Sequence, residues 1–361
     1  MVYLVLVTAW CYPLIGCSQP PPLPPSTPPN VLLLVVDTLR ADALSCYGGK
    51  EIQTPNLDRL ASESHLFNNA ISPSPWTVPS MASILTGLSP LTHNAKMKMT
   101  YPEDTQSLQV RLKKNGYATH ARIQENGFLK AEVGNFDIGF DTYKWGDEPS
   151  HHQQVIELIR NSQTEPFFLW YHLMNPHLPY HAECEEKYVF GGDNELSNIR
   201  RGYGAKTAQQ RTHIKKSYLA EVQDVDKRIG IFLDYLRQAD LYDDMLIIFV
   251  SDHGEEFWEH GSFEHGHTMY EELLNVPLMI KLPGHNTARV HEELVGTQNL
   301  LPTILDVCSI EYQPTEMQAT SLRPFWETPK VITPQQVLSG SPLYFEDREA
   351  LTTTKWKYIV S

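Results

Sequence analysis

Cysteine is scarce in this sequence, and the few cysteines are widely separated. Of the five cysteines in 361 residues, Cys11 and Cys17 lie in an apolar N-terminal stretch, whereas Cys46, Cys184 and Cys308 are scattered through the rest. The absence of any CxxC spacing excludes a cysteine-rich zinc site and a framework of several disulfides. The last three thiols allow at most one bridge, which the sequence does not assign.

Basic charge is also in short supply. Lys and Arg number 29 against 43 Asp and Glu, so the formal net charge is -14. This imbalance argues against nucleic acid as a partner. The sequence has no internal repeat, and its 41% hydrophobic content is typical of a globular chain with one large domain or two modest ones.

The N-terminal apolar stretch, residues 1–17, is too short to span a membrane comfortably. It is typical of a secretory signal, and the LIGC sequence ending at Cys17 resembles a bacterial lipobox, in which the cysteine is lipidated. No Lys or Arg precedes it, which a misplaced start codon or a coincidental match would explain. The Pro-rich residues 18–29 predict an extended linker. We therefore expect an exported lipoprotein of a bacterial periplasm or cell envelope, touching the membrane only through this anchor.

Two apolar runs end in polar residues that suit metal binding. Residues 30–36 predict a buried strand with Asp37 at its C-terminal end, and residues 245–251 predict another that ends in Asp252 and His253. Ligand sites in open α/β sheets collect at this edge, where such side chains can share one cation. For Asp37 alone, capping of the next turn is an equally good interpretation.

The segment WTVPSMASILTGLSP, residues 76–90, predicts a helix that begins just after Thr77. Pro79 suits a first helical turn, and Gly87 suits a C-terminal stop. A hydroxyl at a helix N-terminus lies where free N–H groups and the helix dipole favour an anion. The alternative is that Thr77 only caps the helix.

Apolar strands and amphipathic helices alternate through the rest of the sequence. Helices are predicted at 54–64, 103–115, 150–161 and 208–239, and strands at 117–123 and from 166, the latter ending in a loop with His172 and His177. This alternation predicts a three-layer α/β fold.

These segments resemble the sulfatase family of the alkaline-phosphatase superfamily. The matching stretches are NVLLLVVDTLRADALSCYGG, TPNLDRLASES, WTVPSMASILTGLSP, VSDHGEE and HGHTMYEELLNVPLMIKLPG, and the resemblance runs from about residue 30 to about residue 360. It implies an α/β/α sandwich with a central mixed sheet. The catalytic domain would occupy residues 30–335, and residues 336–361 would begin a small antiparallel C-terminal sheet, expected to be trimmed or truncated because relatives continue further.

The resemblance also implies a metal site and a nucleophile. By position, Asp37, Asp252 and His253 match the ligands of one divalent metal, and Thr77 matches the nucleophile, which also touches the metal. His253 favours Mn²⁺, Mg²⁺ or Zn²⁺ over the Ca²⁺ that the family suggests. We expect one metal ion rather than two.

Other positions match the substrate pocket of the family. His177 matches a histidine that contacts the ester or its leaving group, and His267, with His265 as the alternative, matches a basic residue over the substrate. For His177 and His267, a hydrogen-bonded loop histidine is an equally good interpretation. The family's GKWH-type segment, which supplies a Lys and a His, falls at residues 124–126, where Asn126 is the candidate for substrate binding.

The departures from the family pattern bear on the chemistry. Sulfatases carry C-x-P-S-R or S-x-P-S-R, whose first residue becomes formylglycine, whereas this sequence has Thr77 first and Met81 in place of the arginine. We therefore expect no formylglycine. Thr38 replaces the second Asp of the usual pair. A threonine nucleophile instead resembles the phosphate-handling relatives, which include phosphodiesterases and phosphoethanolamine transferases.

Three functional hypotheses follow. The first is a metal-dependent hydrolase of a sulfate or phosphate ester, acting on a small-molecule, glycan or lipid substrate through a covalent Thr77 intermediate. The second is a phospho-group transferase or phosphodiesterase of the cell envelope, although such transferases usually carry several membrane spans. The third is a non-catalytic binding protein on the same scaffold, against which the intact set of predicted metal ligands argues.

Overall fold

The computed structural model describes residues 28–96, 104–146, 151–161, 166–182, 198, 207–327, 336–344 and 346–361. The predicted signal, Cys17, most of the predicted linker and Cys184 lie outside the described residues. The predicted border at residue 335 falls between two described segments. Within the described ranges, no helix is both long and apolar enough to cross a membrane.

The elements alternate along the chain much as the sequence predicts. The strands are β1 Val31–Val36, β2 His65–Ile71, β3 Ala118–Gln124, β4 Thr142–Gly146, β5 Phe167–Leu173, β6 Leu246–Ser251, β7 Glu256–Phe257, β8 Phe263–Glu264, β9 Leu278–Lys281, β10 Arg289–Gly296, β11 Val337–Ser339, β12 Glu349–Thr352 and β13 Lys357–Val360. The described α-helices are α1 Pro55–Ala61, α2 Thr77–Thr86, α3 Pro90–His93, α4 Leu108–Lys114, α5 Ala131–Gly134, α6 His151–Asn161, α7 Ala208–Gln238, α8 Glu271–Leu274, α9 Leu300–Val307 and α10 Pro324–Glu327.

The main sheet of the described chain has eight strands in the order β10-β2-β9-β6-β1-β5-β3-β4. Neighbouring strands are parallel except at β9, which is antiparallel to both β2 and β6. The sheet is therefore mixed, as expected. In the central trio, Val36 of β1 lies beside Leu173 of β5 and Ser251 of β6, so the residues that follow these strands meet at one edge.

Strand β1 shows how the three layers form. All six of its residues are buried, and because side chains alternate across a strand, they divide between two hydrophobic clusters. Val31, Leu33 and Val35 pack in the cluster that includes apolar residues of α2, α4 and α9. Leu32, Leu34 and Val36 pack in the cluster that includes α1, α6 and α7. At about 1.5–3 kcal/mol for each fully buried Val or Leu, this strand anchors both helical layers. The predicted α/β/α sandwich is confirmed.

The predicted small antiparallel sheet is also present and consists of β11, β12 and β13. Its Val337 and Ala350 pack against apolar residues near the ends of β2, α8 and β10. Two hydrogen bonds tie this region to the chain just before α2: Trp76 Nε1 donates to Ser341 O at 2.6 Å, and Ser339 Oγ donates to Ser72 O at 2.8 Å. The small sheet therefore supports the segment that leads into Thr77.

Two predictions of local structure differ from what is observed. His172 lies inside β5 rather than in the loop that follows it, because the apolar run continues to Leu173. The first residue of the helix predicted at 103–115 lies outside the described residues, and helix α4 begins at Leu108 because Ser107 N donates to Thr105 O in a turn just before it.

Three buried histidines away from the strand-end edge link stability to pH. Burial lowers the pKa of His65, His93 and His291 from 6.5 to about 4. His93 Nδ1 accepts from Ala95 N at 3.0 Å, so in the neutral ring Nε2 carries the hydrogen and donates to Ser83 Oγ of α2 at 2.9 Å. These side chains are therefore neutral in the folded protein near neutral pH.

Replacement of His93 by Gln should reduce the acid sensitivity of the fold. Because the folded pKa is lower than the unfolded one, the stabilisation is complete above pH 6.5 and is lost as the pH falls toward 4. The shift at His93 costs about 1.4 kcal/mol of folding free energy at about pH 5.5. Denaturant unfolding at about pH 7.5 and 5.5 should show a pH-dependent loss that is smaller in His93→Gln by about this amount. An equal loss in both proteins would contradict the assignment.

Candidate active site

The ends of β1 and β6 bring three polar side chains together. Asp37 directly follows β1, Asp252 and His253 directly follow β6, and all three side chains are fully buried. The Nε2 atom of His253 lies 3.5 Å from Asp37 Oδ1 and 3.5 Å from Asp252 Oδ2. The parallel pairing of the two strands is what places these groups at one point, as the sequence predicts.

Thr77 joins this cluster from the first position of α2. Its side chain is buried, and Thr77 Oγ1 lies 3.3 Å from His253 Nε2. Trp76 precedes the helix in an extended conformation, and no side-chain cap is formed, so the hydroxyl of Thr77 is not used as a helix cap. Ser80 Oγ in the next turn donates to Asp252 O at 2.6 Å, which fixes α2 against the end of β6.

The hydrogen bonds of the two carboxylates leave one oxygen of each unpaired. Asp37 Oδ2 accepts from Asn126 Nδ2 at 2.7 Å, and Asp252 Oδ1 accepts from His253 N at 2.9 Å. The other oxygens, Asp37 Oδ1 and Asp252 Oδ2, are buried and have no hydrogen-bond partner among the described residues. Buried carboxylate oxygens without partners are costly. Both lie near the same nitrogen of His253, so a shared cation would satisfy them.

The separations within this cluster fit a metal shell. Ligands about 2.1 Å from a tetrahedral ion lie roughly 3.4 Å from one another. Around His253 Nε2, the oxygens of Thr77, Asp37 and Asp252 lie at 3.3, 3.5 and 3.5 Å. These distances are long for hydrogen bonds and suitable for neighbouring ligands. The residues present therefore fit one divalent ion.

His172 is a member of the cluster that the sequence analysis did not select. It is fully buried in β5, its Nε2 lies 3.4 Å from Asp37 Oδ2, and its Nδ1 has no partner in the part of the chain that the structure describes. Asp37, His172 and Asp252 each offer a ligand atom within 4.8 Å of the others. The pairing of His172 with Val35 of β1 is what places it in the cluster. That pairing could not be predicted from the sequence, because every residue of β5 is buried.

The electrostatics of the cluster shift the pKa values of its two carboxylates in opposite directions. Burial raises the pKa of Asp37, but the hydrogen bond from His172 and the neighbouring histidines more than offset this, so the pKa is well below its usual range. Burial and the charge of Asp37 together raise the pKa of Asp252 well above its usual range. Burial and nearby His265 lower the pKa of His253 to about 3, which leaves its imidazole neutral and able to bind a metal.

Two further histidines extend from His253 as a line of rings. The rings of His253 and His265 are 4.5 Å apart, and those of His265 and His177 are 5.0 Å apart. Although burial lowers the pKa of His265, the carboxylate of Glu255, bonded to Nδ1 at 2.8 Å, raises it to about 9. His265 is therefore a cation at neutral pH, next to the cluster.

His267 is oriented differently. Its Nε2 bonds to Glu256 Oε2 at 2.9 Å, whereas His265 contacts His253 directly. Glu256 belongs to a second group of potential metal ligands, with His260 and Glu272. In that group the atoms are already paired, since His260 Nδ1 lies 2.6 Å from Glu272 Oε1 and Glu256 Oε1 accepts from His260 N.

Three further positions of interest near the cluster are Asn126, Met81 and Gly254. Asn126 Nδ2, besides bonding Asp37, lies 3.4 Å from Thr77 Oγ1. Met81 is fully buried in the hydrophobic cluster beneath the sheet. A Cβ atom on Gly254 would lie 2.0 Å from Glu272 O, so glycine is required there for close backbone approach. Neither this close approach nor the role of Glu255 is evident from the sequence pattern.

The sulfatase family profile matches residues 29–310 of the chain. The chain belongs to the sulfatase family, and it is an enzyme, a hydrolase of that family, with the alkaline-phosphatase-like fold predicted from the sequence.

Sequence relatives carry names of sulfatases with different substrates. An arylsulfatase from Clostridium perfringens is 26% identical over 91% of this chain and 84% of its own. An endo-4-O-sulfatase from Bacteroides thetaiotaomicron is 23% identical over 90% of this chain and 78% of its own.

Solved structures share the fold at lower identity. One was solved in complex with its substrate D-glucosamine-2-N,6-O-disulfate and superposes with a TM-score of 0.76 at 20% identity, covering 92% of this chain and 88% of that chain. The phosphonate monoester hydrolase from Silicibacter pomeroyi superposes with a TM-score of 0.74 at 18% identity, covering 92% and 87%.

We expect the purified protein to hold about one divalent ion per chain, which elemental analysis can count. His253→Ala should lose the ion, because it removes the nitrogen at the centre of the oxygen cluster. His172→Gln should lower metal affinity by about 10–100-fold, as expected when a group that orients a ligand is removed.

His260→Gln provides the matched control, because His260 is paired with Glu272 in the other group. It should leave the ion count unchanged. Retention of the ion by His253→Ala, or its loss in His260→Gln, would contradict the assignment of the site.

Proposed function

We propose that the protein hydrolyses a sulfate or phosphate ester, with Thr77 as the nucleophile. The observation that carries this proposal is the position of the Thr77 hydroxyl, 3.3 Å from His253 and next to two buried carboxylate oxygens without partners. A hydroxyl so placed at a helix N-terminus, which favours anions, is suited to attack the sulfur or phosphorus of an anionic ester.

Asp37, Asp252, His253 and Thr77 would hold one divalent metal, and His172 would orient Asp37. The neutral imidazole together with oxygen ligands favours Mn²⁺, Mg²⁺ or Zn²⁺, with Ca²⁺ as the alternative that the family suggests. When bound, the ion supplies charge that lowers the pKa of a hydroxyl and stabilises developing negative charge.

Different residues of the chain carry out different steps of the proposed reaction. Thr77 Oγ releases its proton to solvent and attacks sulfur or phosphorus in line, forming a threonine ester as the bond to the leaving oxygen breaks. The N–H groups at the start of α2 and Asn126 Nδ2 face the oxygens on which charge develops. His177 donates a proton to the leaving oxygen, and the His265 cation stabilises the anionic substrate. Water then cleaves the threonine ester, one of its protons returning to His177, and the released Thr77 oxygen takes up a proton from solvent.

Two observations support phosphate esters, as well as sulfate esters, as substrates. Thr77 stands where formylglycine precursors stand in sulfatases, and a threonine cannot become an aldehyde hydrate. The phosphonate monoester hydrolase among the structural relatives cleaves an ester of phosphorus on the same fold. A phosphodiesterase or a phospho-group transferase, in which an alcohol replaces the final water, is therefore the second candidate.

Export to a bacterial periplasm or cell envelope, with a lipid on Cys17, also belongs to this proposal. Its support is the apolar stretch ending in LIGC and the Pro-rich linker that follows it. A glycan or lipid ester of the envelope is a consistent substrate, since a structural relative was solved with a sulfated glucosamine.

Thr77→Ala should abolish turnover, while Thr77→Ser should retain a measurable part because it keeps the hydroxyl. Wild type and both variants would be assayed on aryl sulfate, phosphate monoester and phosphodiester, each with Mn²⁺, Mg²⁺, Zn²⁺ or Ca²⁺. We expect a loss of about 10³-fold or more in kcat for Thr77→Ala.

The preferred ester would decide between sulfatase and phosphoesterase. Equal activity in wild type and Thr77→Ala would remove Thr77 from the mechanism. Absence of both turnover and bound metal would instead support the non-catalytic binding protein.

His265→Gln should impair activity more than His267→Gln. His265 contacts His253 and is charged, whereas the side chain of His267 bonds to Glu256. For the ester that the wild type prefers, we expect kcat/KM to fall by about 10²-fold in His265→Gln and by less than about 5-fold in His267→Gln. The reverse order would return His267 to the substrate pocket, as first predicted from the sequence.

A further inference from the structure

Helix α7 carries a buried carboxylate that the proposed mechanism does not use. Glu221 is 1% exposed, although it lies in the middle of a long amphipathic helix. Its oxygens accept hydrogen bonds from Asn175 Nδ2, His181 N and Ala182 N, the last at 2.5 Å. Burial of a carboxylate is tolerated when several N–H donors satisfy it.

All three donors belong to residues 174–182, the loop after β5, which is called here the 174–182 loop. The same loop carries His177, whose ring lies 5.0 Å from that of His265. Gln124 of β3 holds the start of the loop, since its Oε1 accepts from Met174 N at 2.8 Å. Glu221 therefore clamps both sides of His177 along the chain, with Asn175 before it and His181 and Ala182 after it.

We propose that Glu221 is a positioning residue, which acts through the 174–182 loop to place His177 at the leaving oxygen. This proposal rests on the proposed function, in which His177 protonates that oxygen. Its physical basis is that a proton donor must lie within about 2.6–3.2 Å of its target, and a displacement of about 1 Å can cost about 10²-fold in rate. Removal of the Glu221 carboxylate, which the donors of the 174–182 loop share, would displace His177 without unfolding the protein.

The same helix offers a matched control. Asp226, five residues further along α7, is also 1% exposed and accepts three hydrogen bonds, from Asn56 N, Asn56 Nδ2 and Leu57 N. It holds the start of α1 rather than the 174–182 loop. Asp226→Asn therefore reproduces the loss of a buried α7 carboxylate without touching His177.

The experiment compares Glu221→Gln with Asp226→Asn on two aryl esters of the class that the wild type prefers. The 4-nitrophenyl ester has a good leaving group that needs little protonation, whereas the phenyl ester has a poor one. For Glu221→Gln we expect kcat to fall by about 10²-fold with the phenyl ester and by less than about 5-fold with the 4-nitrophenyl ester, while KM changes little. Asp226→Asn should change neither kcat, although both variants lower the melting temperature.

A double-mutant cycle with His177→Ala tests whether Glu221 acts through His177. In the His177→Ala background, Glu221→Gln should lower kcat by less than about 3-fold, because the alignment it supports no longer matters. Additive losses, or equal losses with both esters, would overturn the proposal and leave Glu221 a structural residue. If Glu221→Gln does not fold, Asn175→Ala removes one donor from the same clamp and should give the same dependence on the leaving group.

Failure of the proposed function has a different signature. It would appear as a wild type without turnover, or as a Thr77→Ala variant as active as the wild type. Failure of the positioning role would appear in an active, Thr77-dependent enzyme whose Glu221 variant loses activity uniformly or not at all.

Discussion

Two buried carboxylates at the ends of neighbouring parallel strands are the constraint on which the rest of this site depends. Asp37 and Asp252 are fully buried, and two like charges at such a point repel each other while losing their hydration. The surrounding groups each offset part of that cost. Asn126 and the backbone bind one oxygen of each carboxylate, and the neutral ring of His253 separates the two unpaired oxygens. An arrangement that is costly without a cation is what a metal site requires.

The part of this architecture that could be predicted from the sequence is the part fixed by local patterns. An apolar run that ends in a carboxylate identifies a buried strand and its tip, and adjacent parallel strands place their tips together. The pattern of Pro79 and Gly87 around an apolar segment identifies α2 and places Thr77 at its start. For this reason the sequence could predict four residues of the cluster, each of which lies at the boundary of a strand or helix: Asp37, Thr77, Asp252 and His253.

The remaining residues could not be predicted from the sequence, because their roles depend on neighbours in the tertiary structure. His172 continues a run of buried residues in β5, and only the register with β1 places it beside Asp37. Glu221 occupies a helix whose polar positions mostly face solvent, so its burial follows from the path of the 174–182 loop. His265 and His267 are two residues apart, and their different partners, Glu255 and Glu256, could not be distinguished by spacing.

The burial of Met81 gives a physical reason why this chain lacks the arginine that sulfatases carry at this position. In sulfatases an arginine at this position steadies the nucleophile, but here the side chain is fully buried in an apolar cluster. An arginine charge placed in that cluster would carry a large desolvation penalty. In the proposed mechanism, positive charge comes instead from His265, whose protonation depends on Glu255. The charged side chain next to His253 would then be an imidazolium held by a carboxylate, so its charge and orientation would depend on the loop that carries Glu255 rather than on α2.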